Sequence, residues 1–166
     1  MNKEIISAPF RGIPSGPPQR PREPVLAPGD RLESETPSNN NDRILIVEDD
    51  LLVASEMEAT LCDAGFEIVG IATTGNEALQ LARTESPILA VMDIRIAGDR
   101  DGVDTALELF RSQGLRCIFA SAHSDHDSRL RAQPAAPLGW LQKPYTMASL
   151  TEMVRAAVSE LRGQPG

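Results

Sequence analysis

The sequence predicts a single α/β domain in which five parallel strands form one open sheet with helices on both faces. From Asp42 onward, short apolar runs alternate with amphipathic stretches of helical period, as in repeated βα units. Runs such as "ILIV" and "ILAVM" are apolar on both faces, which is typical of parallel strands covered by helices on each side. The length of 166 residues allows one domain with a well-developed core and hardly a second.

The strands are expected where these apolar runs lie between turn residues. In chain order they are "RILIVE", "FEIVGIA", "ILAVMD", "RCIFASA" and "GWLQK". Right-handed crossovers place the carboxyl ends of all parallel strands along one edge of the sheet. Ligands of such sheets bind at that edge, so the residues that follow each strand are expected to determine function.

The helices between the strands are indicated by apolar stripes. One stripe runs from Val53 to Ala64 and is closed by Gly65, and Asp101 is expected to cap a later helix. The fourth helix has little apolar stripe and meets Pro134, so it should be short and mobile.

Residues 1–41 differ in composition from the rest of the chain. They contain repeated proline, balanced charges and no sustained period of helix or strand. Such a segment cannot bury enough apolar surface to offset the entropy of ordering it, so we predict a disordered arm with polyproline II character. A solvated arm is favoured over a ligand for a proline-binding partner domain. Residues 42–162 are then the folded domain, and residues 163–166 form a short tail.

Charge and composition argue against several classes of protein. The formal net charge of −8 argues against a nucleic-acid binder and suits a protein that gathers divalent cations or meets a basic partner. No apolar stretch is long enough to cross a bilayer, and "MNKEIISAPF" lacks the apolar middle of a signal peptide, so a cytoplasmic location is expected. Cys62 and Cys117 are interpreted as reduced core residues rather than a disulfide.

Polar residues stand at the carboxyl ends of four of the five predicted strands. Taken singly, each has an ordinary explanation as a helix cap or a solvated side chain. Taken together, they should surround one edge of the sheet, which is much less expected by accident. In strand order they are Glu48, Asp49 and Asp50, then Asp93, then Ser121 and His123, and finally Lys143.

This set of residues suits phosphoryl transfer to a carboxylate. Asp93 would be the nucleophile, since an aspartate with an ordinary pKa of about 3.9 is ionised at neutral pH. A magnesium ion held by Glu48, Asp49 and Asp93 would reduce the repulsion between the carboxylate and the incoming phosphate. Lys143 would face the phosphoryl oxygens as a point charge, and Ser121 would donate a hydrogen bond to one of them.

The motifs "ILIVEDD", "LAVMDIRIAGDRDG", "IFASAH" and "GWLQKP", in this order and spacing, resemble the receiver domain of two-component response regulators from about Arg43 to Leu161. The resemblance implies a flavodoxin-like fold, a doubly wound (βα)5 sheet with strand order 2-1-3-4-5. It makes Asp93 the phospho-acceptor, Glu48 and Asp49 the acidic pair for Mg²⁺, Ser121 the switch hydroxyl and Lys143 the lysine of the site.

The resemblance carries further expectations. The Lys143–Pro144 peptide should be cis, and the backbone carbonyl of Arg95 should help to bind Mg²⁺. Trp140 stands where the family has a switch aromatic, although it could instead be a partly buried anchor. Arg95 and His123 flank the path of the hydrolytic water and could modulate hydrolysis, although His123 is more often a solvated loop residue. The stretch "IRIAGDRDG" has no proline where the family often does, so this loop should be longer and freer.

The favoured function is a stand-alone receiver that takes its phosphoryl group from a histidine kinase or a histidine phosphotransfer protein. It would act on no substrate beyond its own phosphorylation and dephosphorylation. It would signal by protein contacts through helix four, strand five and helix five, without nucleic acid or membrane. A phosphohydrolase of the haloacid dehalogenase kind is disfavoured because Arg95 stands where that family needs a second acid. A non-phosphorylated binding module is disfavoured because a scaffold has no need to keep these charges together.

Overall fold

A computed structural model of the protein describes residues 42–121 and 126–163. The predicted arm over residues 1–41, His123 and all of the predicted tail except Gly163 lie outside the described residues. The elements are β1 (Arg43–Val47), α1 (Leu51–Asp63), β2 (Glu67–Ala72), α2 (Gly75–Glu85), β3 (Leu89–Asp93), α3 (Gly102–Gln113), β4 (Arg116–Ser121), α4 (His126–Ala132), a 3-10 turn (Gln133–Ala135), β5 (Gly139–Gln142) and α5 (Met147–Gly163).

The five strands form one parallel sheet in the order β2-β1-β3-β4-β5, which confirms the predicted fold class and strand order. Val47 lies opposite Met92, and Asp93 lies opposite Ala120. The carboxyl ends of β1, β3 and β4 therefore lie side by side. This is the edge at which the sequence predicts the functional residues.

Two apolar layers cover the sheet, one on each face. Side chains alternate along each strand, so Leu45 and Val47 pack under α2, α3 and α4, whereas Ile44 and Ile46 pack under α1 and α5. None of the described helices combines the length and apolarity needed to cross a membrane.

Local capping defines several helix ends. The carboxylate of Asp101 accepts a hydrogen bond of 2.8 Å from the Asp104 N–H, which confirms the predicted cap of α3. Gly65 follows α1 with φ of +94°, as expected of a residue that closes a helix in the left-handed region. As predicted, α4 is short: it has seven residues and ends just before the turn that contains Pro134.

Two expectations from the sequence are wrong. Cys117 is buried, but Cys62 is exposed, because it is rotated by about 100° along α1 from the buried Leu61. The loop between β3 and α3 is not free, since Ala97 forms a β-bridge with Thr74 and Ile96 packs against the core. The apolar side chain of Ile96 thus anchors a loop that lacks the family's proline.

Candidate functional site

Strand alternation brings three charged residues to the same face of the sheet edge. Val47 and Met92 pack on the face of α2 and α3. Alternation therefore turns the next residues, Glu48 directly after β1 and Asp93 at the end of β3, toward the face of α1 and α5. Lys143 follows β5 and lies two residues after Leu141, which packs under α1 and α5. The same alternation therefore places the Lys143 side chain on the face of α1 and α5. The three charged side chains meet because side-chain alternation turns each of them toward the same face at the carboxyl edge of the sheet.

Lys143 joins the two acids directly. Its Nζ lies 2.7 Å from Asp93 Oδ2 and 2.9 Å from Glu48 Oε2. Glu48 is 2% exposed and Asp93 is 8% exposed, so both carboxylates have lost most of their hydration. Buried carboxylates need such partners, because an isolated buried charge is strongly unfavourable.

Burial and mutual repulsion shift the protonation of this group. Desolvation raises the pKa of Glu48 above the usual value of a glutamate, and the neighbouring charge of Asp93 adds to the rise, while Lys143 opposes it. For Lys143, burial lowers the pKa, but the hydrogen bonds to Asp93 and Glu48 outweigh burial and raise the pKa to about 12. Lys143 is therefore a permanent cation at neutral pH.

A third acid completes a group of oxygen ligands. Carboxylate oxygens of Glu48, Asp49 and Asp93 all lie within 4.8 Å of one another, and Asp49 is exposed to solvent. Carboxylate oxygens with room for water are the ligands that Mg²⁺ prefers, so the donor set fits this ion. Asp50 has a different role, because its carboxylate caps α1 by accepting from the N–H groups of Leu52 and Val53.

The predicted switch residues lie on the opposite face. Ser121 is half-buried at the end of β4. The ring of Trp140 stacks on Phe119 at 4.6 Å between centroids, and the Arg129 guanidinium of α4 lies 4.9 Å from the Trp140 ring centroid. Trp140 thus contacts both the core and α4, and its switch role stays a prediction.

Two further predictions concern residues close to Asp93. The side chain of Arg95 is exposed, and its backbone N–H donates to Asp93 Oδ1 at 3.2 Å. The metal role of its carbonyl stays a prediction. The Lys143–Pro144 peptide is cis, as the resemblance implied. The predicted role of His123 cannot be placed, since His123 lies outside the described residues.

The sequence analysis missed two residues beside the site. Gly102 begins α3 close to the end of β3, and a Cβ at this position would overlap the carbonyl group of Asp93. A glycine immediately after a helix cap was the available signal. Arg131 of α4 forms ion pairs with Asp101 and Asp104 at the start of α3, and no local pattern predicts that contact.

Comparison with known proteins identifies the family of the chain. The family model described as "Response regulator receiver domain" matches residues 44–155, and the chain belongs to this family. The transcriptional regulatory protein PdtaR of Mycobacterium tuberculosis is 35% identical over 72% of this chain and 58% of its own length. The phyllosphere-induced regulator PhyR of Methylorubrum extorquens is 28% identical over 69% of this chain and 43% of its own length. The chain therefore spans less than three fifths of the length of these relatives.

Solved structures show the same fold. The signal receiver domain of a modulated diguanylate cyclase from Desulfovibrio desulfuricans G20 matches with a TM-score of 0.67 and 32% identity, covering 72% of this chain and 95% of that chain. A CheY-like receiver domain protein from Methanospirillum hungatei JF-1 matches with a TM-score of 0.68 and 24% identity, covering 73% and 96%. The chain is thus a receiver domain of two-component signalling.

Proposed function

We propose that Asp93 accepts a phosphoryl group from a histidine kinase or a histidine phosphotransfer protein, and that the phosphorylated domain then acts on a partner protein in the cytoplasm. The observation that supports this most directly is the placement of Lys143 Nζ within hydrogen-bond distance of both Asp93 and Glu48. The same arrangement supplies an anionic nucleophile, a fixed cation and a group of metal-binding oxygens.

The transfer step follows from these groups. A carboxylate oxygen of Asp93 attacks the phosphorus, a P–O bond forms, and the P–N bond to the donor imidazole breaks with its electron pair leaving on nitrogen. Lys143 provides positive charge where the phosphoryl oxygens arrive. Glu48, Asp49 and Asp93 would hold Mg²⁺, which would supply positive charge that reduces the repulsion between the carboxylate and the phosphoryl group.

The other predicted residues have roles around this step. Ser121 donates a hydrogen bond to the phosphoryl group, and Trp140 passes the change to the surface of α4, β5 and α5. Arg95 and His123 modulate loss of the phosphoryl group to water. In this proposal the protein catalyses only its own phosphorylation and dephosphorylation and is not an enzyme with a separate substrate. Action without an attached output domain stays a prediction.

The test is intact-mass spectrometry of the protein after incubation with Mg²⁺ and acetyl phosphate. We expect a gain of one phosphoryl group that requires Mg²⁺ and is absent in Asp93→Asn. Asp99→Asn is the matched control, because Asp99 is an exposed acid in the same loop and should leave the gain unchanged.

A receiver that accepts a phosphoryl group only from a P–N bond would not react with acetyl phosphate, so the test needs a second donor. Phosphoramidate, which carries a P–N bond, provides that test under the same conditions. Failure with both donors, or an equal gain in Asp93→Asn, would overturn the proposal.

A further inference from the structure

The helix α4 is tied to α3 by one arginine that contacts two aspartates. Arg131 Nη1 lies 2.9 Å from Asp101 Oδ2, and Arg131 Nη2 lies 2.9 Å from Asp104 Oδ1. The planar guanidinium suits such a two-point contact better than an ammonium group would. The contact joins the last turn of α4 to the first turn of α3.

Asp101 uses both of its carboxylate oxygens in this arrangement. Its Oδ1 accepts from the Asp104 N–H as the cap of α3, while its Oδ2 binds Arg131. The side chain is therefore fixed from two directions, and Arg131 adds a restraint that comes from another helix.

The start of α3 is in turn fixed to the acceptor. The Gly102 N–H donates to the Ile94 carbonyl at 2.8 Å, directly after Asp93 in the chain. The absence of a Cβ on Gly102 lets the backbone approach the Asp93 carbonyl. The loop of residues 94–101 is thus held at both ends, and it carries Arg95, whose N–H contacts the Asp93 carboxylate.

We propose that Arg131 is a positioning residue that acts through Asp101 to hold the 94–101 loop in the shape that the acidic site needs to bind Mg²⁺. This inference rests on the proposed function of Asp93. A loop that is already ordered loses less entropy when the ion binds. Coupling between sites is reciprocal, so Mg²⁺ binding also strengthens the attachment of α4. This path from the acceptor to α4 is separate from Ser121 and Trp140.

The expected effect is modest because the three side chains are partly exposed, with Arg131 at 45%. Exposed ion pairs of this kind correspond to a change of about two- to fivefold in an equilibrium constant. Salt screens such pairs, so the effect should shrink as the ionic strength rises.

The experiment measures urea unfolding of the full chain and of Arg131→Gln at a series of Mg²⁺ concentrations. A ligand that binds the folded state raises the free energy of unfolding by RT ln(1 + [L]/Kd), so a fit of this rise against the Mg²⁺ concentration gives Kd. This Kd is the concentration at which half of the folded molecules hold the ion, and it is called the Mg²⁺ midpoint below. We expect the Mg²⁺ midpoint of Arg131→Gln to be about two- to fivefold higher than that of the original protein. A purely structural role of Arg131 would lower stability without Mg²⁺ and leave this midpoint unchanged.

Arg43→Gln is the matched control. Arg43 also contacts two carboxylates, those of Glu67 and Glu85, but it does so at the amino end of the sheet. Its replacement should lower stability without Mg²⁺ and leave the Mg²⁺ midpoint unchanged.

Two further measurements make the result decisive. Asp101→Asn keeps a capping side chain but removes the charge that Arg131 contacts. Adding Arg131→Gln to the Asp101→Asn protein should therefore raise the Mg²⁺ midpoint less than Arg131→Gln raises it in the original protein. Mg²⁺ should slow amide hydrogen exchange in residues 126–132 of the original protein and slow it less in Arg131→Gln.

The possible failures are distinguishable. An unchanged midpoint in Arg131→Gln, with a normal Mg²⁺ response in the original protein, would overturn this inference alone. No Mg²⁺ response in the original protein would overturn both this inference and the proposed metal site.

Discussion

The two ends of the sheet both collect carboxylates but neutralise them differently. At the amino end, four acids each pair with an arginine, and these pairs are Arg43 with Glu67 and Glu85, Arg116 with Glu160, and Arg162 with Asp42. At the carboxyl end, Lys143 is the single cation that forms an ion pair with the acidic group of Glu48, Asp49 and Asp93 within the described residues. In the amino-end pairs every acid has a cationic partner, with three arginines for four acids. The carboxyl-end group has one lysine for three acids and can accept a further cation.

Burial makes this difference important. Most of the amino-end side chains are well exposed, so each ion pair contributes little to stability and its loss is tolerated. Glu48 and Asp93 are almost fully buried, so a change in their partners alters strong interactions. Excess buried charge at the carboxyl end disfavours folding of the metal-free protein and favours cation binding.

Replacement of Lys143 by glutamine should have the largest effect. The phosphoryl oxygens lose the positive charge that faces them, so we expect the rate of phosphorylation at saturating Mg²⁺ to fall by about 100-fold or more. Mg²⁺ itself should bind more tightly, because no ammonium group then competes for Glu48 and Asp93.

Time-resolved intact mass gives the rate, and urea unfolding with and without Mg²⁺ gives folding and metal affinity. Arg100→Gln removes the same charge from an exposed position in the acceptor loop and should leave the rate within about twofold, as expected of a surface substitution. A Lys143→Gln protein that is folded and phosphorylated at the normal rate would contradict the comparison drawn here.

The second prediction concerns pH. Because burial raises the pKa of Glu48, this carboxyl takes up a proton at a higher pH than an exposed glutamate does, and the proton competes with Mg²⁺. The Mg²⁺ midpoint, which is the Kd fitted to the rise in the free energy of unfolding, should therefore rise as the pH falls from 8 to about 5, toward the ordinary range of a glutamate. Glu48→Gln should bind Mg²⁺ more weakly but with a flatter pH dependence, and an equally steep dependence would show that another group titrates.

The same shift has a consequence for the metal-free protein. The folded state holds the Glu48 proton more tightly than the unfolded state does, so this group favours folding at low pH. That contribution is lost as the pH rises from the ordinary glutamate range through the raised pKa of the folded protein.

The smallest effect is expected at the amino end, from Arg116→Gln. This change removes the ion pair with Glu160 and the hydrogen bond of 2.7 Å from Arg116 Nε to the Ala136 carbonyl. We expect urea unfolding to show a loss of about 1 kcal/mol, the usual contribution of one such hydrogen bond, with no change in the Mg²⁺ midpoint. A changed midpoint would mean that the two ends of the sheet are coupled.

Much of the fold could be predicted because it depends on local patterns. The apolar run before Asp93 and the cap at Asp101 are visible in a few consecutive residues, and both are in the structure where they were expected. The grouping of Glu48, Asp49 and Asp93 was also predictable, because parallel topology brings strand ends together.

Contacts of long side chains could not be predicted in this way. Lys143 and Glu48 are 95 residues apart, and Arg131 and Asp101 are 30 residues apart. Which carboxylate such a side chain reaches depends on the final placement of two elements and on its rotamer, and neither has a local signature. The exposure of Cys62 was missed for a related reason, since only the packed structure shows which face of α1 is covered.

Gly102 shows that a site can depend on the absence of a side chain. If every position of this chain were replaced in turn by every other amino acid, we would expect position 102 to rank with the charged residues of the site, although it has no functional group. The reason is that any side chain must begin with a Cβ, and a Cβ here overlaps the carbonyl of Asp93. Substitutions in this protein are therefore expected to be harmful where they fill the space around Asp93, as well as where they remove a charged group of the site.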